Sequence, residues 1–188
     1  MLIPLKVVIV GDEGVGKTCM LIRYTTGDFP VDYVPTVMDC FHEETHFQEE
    51  MIDFGLWDTC GEGYEGERYL CYANVDVIIL TFCIGNPMTL QNIETRWIRE
   101  LSTYCENIPI ILVGTQEDLR TNPSHIEKLK STNREPVTHS QGMNLAKQIH
   151  AKQYLECSSL TGDGIERVFV ECMKIKFPSI ENNRTIKD

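Results

Sequence analysis

Basic residues are scarce in this chain. Lys and Arg number 17 against 28 Asp and Glu, for a formal net charge of −11. That balance speaks against a broad basic surface for nucleic acid. No window approaches the roughly 18 uninterrupted apolar residues of a membrane-spanning helix. The first residues lack the basic, apolar, then small-residue order of a secretory signal, and Leu5–Val10 is better used as a strand. The chain has eight cysteines but no Cys-x-x-Cys pair, and several lie in apolar runs. Reduced thiols in a cytoplasmic protein are expected rather than a disulfide or zinc framework. The histidines share no ligand spacing, so no structural metal site is expected. There is no internal repeat and no low-complexity tract. At 188 residues the chain is most simply one domain with a full core.

What is present begins with Gly11-Asp12-Glu13-Gly14-Val15-Gly16-Lys17-Thr18. It matches the phosphate-loop pattern of Gly, four residues, Gly, Lys, then Ser or Thr. The run Leu5–Val10 before it reads as a buried strand, and Lys17–Thr26 after it reads as a helix. Gly11 and Gly16 let the backbone turn tightly and come close to a phosphate. Successive N–H groups at the start of a helix favour an anion. Lys17 can reach the outer phosphates, and Thr18 can ligate magnesium.

Two strands, Cys40–Gln48 and Met51–Trp57, flank an acidic turn. The stretch from Glu62 to about Ala73 is polar and rich in Gly and Glu, which suits a mobile segment and a short helix. Asp76–Phe82 and Pro109–Gly114 are near-continuous apolar runs, as expected of parallel strands covered on both faces. A long helix opens at Asn86-Pro87 and runs to about Tyr104, with Trp97 on its apolar stripe as a core residue. A short helical pattern lies around Ile126–Leu129. Thr138–His150 is a helix whose opening Ser140 can assist. Tyr154–Cys157 is the last strand and Ile165–Phe177 the last helix, stopped by Pro178. Strands alternating with helices predict an α/β sheet covered on both faces.

Further site pieces fall at strand ends, where ligands of such sheets sit. Asp58 can hold magnesium, usually through water, and Gly61 can offer its N–H to a terminal phosphate. Thr36 lies in a loop able to fold over the phosphates. Asp118 can accept two hydrogen bonds from guanine, a pair that adenine does not offer. Ser158 and Ser159 follow the last strand, where a backbone N–H can hold the guanine oxygen.

With these pieces assembled, the sequence resembles the Rho family of Ras-superfamily small GTPases over roughly residues 3 to 177. The resemblance is carried by Gly11–Thr18, Tyr33-Val34-Pro35-Thr36-Val37, Leu56-Trp57-Asp58-Thr59, Ile110–Thr115 and Tyr154–Ser158. Cys19 after the loop threonine, Trp57 before the aspartate and an insert near 123–134 are Rho-like. The resemblance implies the phosphate-loop small-GTPase fold: a six-stranded, mostly parallel sheet flanked by five main helices, with a flexible tail over 178–188. It implies two switches, Asp28 to about Met38 and Thr59 to about Tyr72. GTP or GDP with Mg2+ would be held by Glu13, Gly14, Val15, Gly16, Lys17, Thr18, Cys19, Phe29, Tyr33, Thr36, Gly61, Gln116, Asp118, Leu119, Ser158, Ser159 and Leu160. Thr18, Thr36 and Asp58 would take the metal, and Lys17, Thr36, Gly61 and Glu62 would serve catalysis. The implied role is a guanine-nucleotide switch in intracellular signalling, with cytoskeletal or polarity effectors at the switches and exchange factors as regulators, expected monomeric and cytoplasmic, with any membrane recruitment through partners.

The chain also departs from the family. Glu13 stands where glycine is usual, Glu62 where glutamine orients the attacking water, and Gly63 where glutamate is usual. Gln116 replaces a lysine that packs along the base, and Ser159 replaces an alanine. No prenylation cysteine closes the sequence, so no intrinsic membrane anchor is expected in this chain. Slow GTP hydrolysis follows, poorly rescued by a GTPase-activating protein. The alternative is a scaffold that holds GTP, hardly hydrolyses it and sequesters effectors.

Overall fold

A computed structural model describes residues 2–30, 38–61 and 65–178. Tyr33, Thr36, Glu62 and all but the first residue of the expected tail lie outside the described residues. Leu2–Gly11 forms β1 at the centre of the sheet. Its side chains alternate between two cores: Leu5, Val7 and Ile9 enter one, Val8 and Val10 the other. All five are fully buried, as a strand covered on both faces requires.

The chain continues through α1 (Lys17–Thr26), β2 (Met38–Phe47), β3 (Glu50–Thr59) and the short α2 (Glu65–Arg68) with a 3-10 turn, Tyr69–Tyr72. After β4 (Val77–Cys83) comes a long helix, here α3, made of Pro87–Asn92, a π turn over Ile93–Trp97, and Ile98–Tyr104. Then follow β5 (Ile110–Thr115), α4 (Pro123–Lys130), α5 (His139–Gln148), β6 (Gln153–Glu156) and α6 (Ile165–Lys176). The sheet order is β2-β3-β1-β4-β5-β6. Only the β2–β3 pair is antiparallel. The expected six-stranded, mostly parallel sheet is present.

Helices α1 and α6 cover one face. Met20, Leu21, Val168, Phe169, Cys172 and Met173 close over Leu5, Val7 and Ile9. Helices α3 and α5 cover the other, with Ile93, Trp97, Leu101, Leu145 and Ala146 against Val8 and Val10. Fully burying each large apolar side chain is worth about 1.5–3 kcal/mol, so these two layers fix the strand ends in space. α4 carries no buried residue, so the insert adds surface and no core. The eight cysteines are all free. No helix of the described residues is long and apolar enough to cross a membrane.

Three local readings change. Asp58 lies inside β3, opposite Ile9 on β1 and Asp39 on β2, rather than just past the strand. The stretch after the Pro109–Gly114 strand, which reads as a loop in the sequence, forms a 3-10 turn over Glu117–Arg120. Helix α5 is opened by Thr138, not Ser140. Thr138 and Gln141 form a reciprocal capping box, each side chain answering the other's backbone N–H.

Candidate functional site

The carboxyl ends of β1, β3, β4, β5 and β6 share one edge of the sheet, and the expected site pieces lie on the loops there. Gly16 takes φ +96° as it opens α1. That left-handed backbone is open to glycine and strained for other residues. No side chain caps α1 and its first turn holds no acidic residue. The start of α1 is thus a place where an anion is favoured.

Lys17 is 6% exposed. Its ammonium donates to the Gly11 carbonyl at 2.9 Å and the Asp12 carbonyl at 2.8 Å. Burial lowers its pKa to about 8, against the pull of Asp58 and Asp12 in the other direction. A desolvated cation of this kind gains most when a phosphate supplies the missing negative charge. The Thr18 hydroxyl donates to Asp58 Oδ2 at 2.6 Å, and Asp58 is fully buried. A hydroxyl and a carboxylate oxygen side by side are hard oxygen donors, the set that suits Mg2+.

Gly61 lies against the phosphate loop. A Cβ there would overlap the backbone nitrogen and Cα of Glu13 and the carbonyl carbon of Asp12. Only glycine permits this approach, and it brings the start of the expected second switch against Glu13. The Glu13 side chain is exposed.

At the far end of the edge is a cavity of about 230 Å³ lined by Gly16, Cys19, Phe29, Gln116, Asp118, Ser159 and Leu160. All seven belong to the set that the resemblance implies for nucleotide. Phe29 and Leu160 stand 40% and 57% exposed at its mouth, where a flat apolar ligand would cover them. The Ser158 hydroxyl donates to Asp118 Oδ1 at 2.6 Å. This orients the carboxylate and leaves it acceptor capacity. Gln116 is held at both ends of its amide. Its Nε2 donates to the Gly14 carbonyl at 3.1 Å, and its Oε1 accepts from Cys83 Sγ at 3.3 Å. Leu119 is not part of this lining. Its Cδ1 occupies the space that a Cβ on Gly85 would need.

Some contacts have no advance signal in the sequence. The Thr115 hydroxyl lies 2.5 Å from the Val15 carbonyl and 2.9 Å from the Phe82 carbonyl, tying the phosphate loop to β5. The Asp12 carboxylate accepts from Asn92 Nδ2 at 2.6 Å and Trp97 Nε1 at 2.8 Å. In a regular α-helix residues five apart point about 140° away from one another. The π turn of α3 brings them to one carboxylate, and such turns recur at functional sites. Among the described residues no group of His, Cys, Asp and Glu has the arrangement of a multi-ligand metal centre.

The family profile described as the Ras family matches residues 6–176. The GTP-binding protein rho2 of Schizosaccharomyces pombe is 43% identical over 165 residues, covering 87% of this chain and 82% of that protein. The chain belongs to the Ras family, in its Rho branch. For this Rho-family protein the edge just described is therefore the region in which the family's motifs converge. Trp57, the Rho-like tryptophan, is half-buried on β3 with the Lys6 ammonium 4.2 Å from its ring centroid. It packs against the second core from the side.

Proposed function

We propose that this chain is a guanine-nucleotide-binding switch that hydrolyses GTP slowly. The observation that carries the nucleotide reading is the joint placement of Lys17, the Thr18–Asp58 pair and the Asp118 cavity along one sheet edge. Glu13 through Cys19 and Gly61 would hold the phosphates. Phe29, Gln116, Asp118, Ser158, Ser159 and Leu160 would hold the base. Thr18 and Asp58 would take Mg2+, joined by Thr36 from outside the described residues. Bound there, Mg2+ would neutralise phosphate charge. Lys17 would add a fixed positive charge, and the Gly61 N–H would meet the terminal phosphate. The charged Asp118 acceptor selects guanine because adenine lacks the paired donors. Competition binding checks this: GDP and GTP should displace a fluorescent guanine nucleotide in the presence of Mg2+, and ATP should not. Equal displacement by ATP would refute it.

Slow hydrolysis rests on two glutamates. An ionised Glu62 cannot donate the amide hydrogen bond of the glutamine usual there, and it sets negative charge near phosphoryl oxygens. Glu13 adds an exposed carboxylate beside the Gly61 contact, in the region where an activator's arginine would enter. That arginine is worth roughly 10³–10⁵ in turnover, so excluding it is the larger loss. Effectors and exchange factors would use the switches. Met38 and Leu70, 51% and 59% exposed, supply apolar surface within those segments. A partner whose binding ignores both the nucleotide state and a Thr36→Ala change would contradict switch-dependent recognition. A protein that holds GTP as a scaffold without measurable turnover is the neighbouring reading, and single-turnover hydrolysis separates the two.

A further inference from the structure

The segment after β3 contains a guanidinium buried to 0% exposure, that of Arg68. Three of its donors have assigned partners. Nε and Nη2 grip the two oxygens of Glu100 on α3 at 2.7 and 2.6 Å. Nη1 donates to the Cys60 carbonyl at 3.0 Å. The Tyr72 hydroxyl donates to Glu100 at 2.5 Å and completes the clamp. Burial alone would lower the Arg68 pKa, but the Glu100 bonds outweigh it and hold the cation firmly charged.

The consequence lies one peptide away. The Cys60–Gly61 bond is trans, so its C=O and N–H point in opposite directions. With the carbonyl fixed on Arg68, the Gly61 N–H leaves on the other side, from a residue that lies against the phosphate loop. A second guanidinium, Arg96, donates to the Gly61 carbonyl at 2.9 Å. Both guanidiniums lie 4.8 Å from the Trp97 ring centroid, and the indole N–H of that ring holds Asp12 of the phosphate loop.

We propose that Arg68 is a positioning residue for the terminal phosphate: by gripping the Cys60 carbonyl it aims the Gly61 N–H. This rests on the guanine-nucleotide reading and deepens it. Arg68 then matters for GTP, which has the outer phosphate, and hardly for GDP, which lacks it. A buried ion pair that served the fold alone would affect both nucleotides equally.

The test measures the affinities of GDP and a non-hydrolysable GTP analogue by competition, with Mg2+, for the parent, Arg68→Lys and Glu100→Gln. A lysine keeps the charge but cannot hold Glu100 in a fork and Cys60 at once. Arg68→Lys should weaken the GTP analogue about tenfold, the scale of one hydrogen bond to a charged group, with GDP changed less than twofold. Glu100→Gln keeps Arg68 in place with a looser grip and should shift the ratio in the same direction by less. If Arg68→Lys fails to fold, Glu100→Gln decides. Affinities that fall together, or an unchanged ratio in either folded variant, would overturn the inference alone. A parent that binds neither nucleotide would overturn the underlying reading, and the inference with it.

Discussion

The two ends of the site are held by different means. At the base end, Asp118, Gln116 and Thr115 are fixed by groups on adjoining strand ends and the phosphate loop: Ser158, Cys83, Gly14, Val15 and Phe82. Three of these five are backbone carbonyls, two on the phosphate loop and one on β4. At the phosphate end, Cys60 and Gly61 are held by long side chains, Arg68 from α2 and Arg96 from α3. Trp97 links that grip to Asp12. A backbone cradle presents one geometry. Two guanidiniums stacked on an indole can exchange partners with no strand moving. In the proposed switch the base end would serve recognition and the phosphate end change, the division of labour a nucleotide switch needs.

The largest expected effect breaks the comparison at the phosphate end. Glu13→Gly combined with Glu62→Gln should raise single-turnover GTP hydrolysis, by up to about 10³ with a Rho-type activator present. Turnover equal to the parent, with and without activator, would show that neither glutamate limits the reaction. Asp118→Ala strikes the base end. It removes a charged acceptor for two donors, so guanine affinity should drop about a hundredfold or more and base choice should relax. Competition with GDP, IDP and ADP reads this out, and retained preference for GDP would contradict the assignment.

A third effect is set by pH. Burial leaves Lys17 with a pKa of about 8 in the protein without nucleotide, and binding phosphates must raise it. GDP affinity should therefore be level below pH 8. Above it, binding requires proton uptake, so affinity should fall by at most about tenfold per pH unit. Lys17→Met should bind weakly and lose the slope. The same slope in that variant would assign it to another group. The smallest effect sharpens the contrast from the base side. Thr115→Val strips the hydroxyl from two buried carbonyls and should cost about 1–3 kcal/mol. Thermal melting should show a fall of about 2–4 °C per kcal/mol for a chain of this size. No fall would mean that water replaces the tether.

Much of the base end and the phosphate loop is legible in the sequence because it rests on local spacing. The Gly11–Thr18 pattern, the apolar strand before it and the helix over Lys17–Thr26 agree at every level, and the structure places that helix at the same bounds. Asp118 and Ser158 can be placed because each follows an apolar run that must be a strand. The phosphate-end grip cannot be read this way. Arg68 sits in a polar stretch that looks solvated, and nothing local announces that Glu100, 32 residues on, will bury it. Trp97 is read correctly as core, but the use of its N–H depends on the π turn, which no hydrophobic period reveals. The α5 cap is a different kind of miss. The Thr138-x-x-Gln141 capping signal stands in the sequence beside the weaker candidate, Ser140, and only the reciprocal bonds distinguish them.

The most direct test of the account is the nucleotide released when protein purified with Mg2+ is denatured and its extract is separated by ion exchange. The account predicts a guanine nucleotide in amounts comparable to the protein, with GTP exceeding GDP, because the site binds guanine and hydrolysis is slow. Absence of nucleotide or a predominance of adenine nucleotide would contradict the binding site. GDP alone, in a protein that also turns over added GTP as fast as the Glu13→Gly, Glu62→Gln variant, would contradict the slow switch.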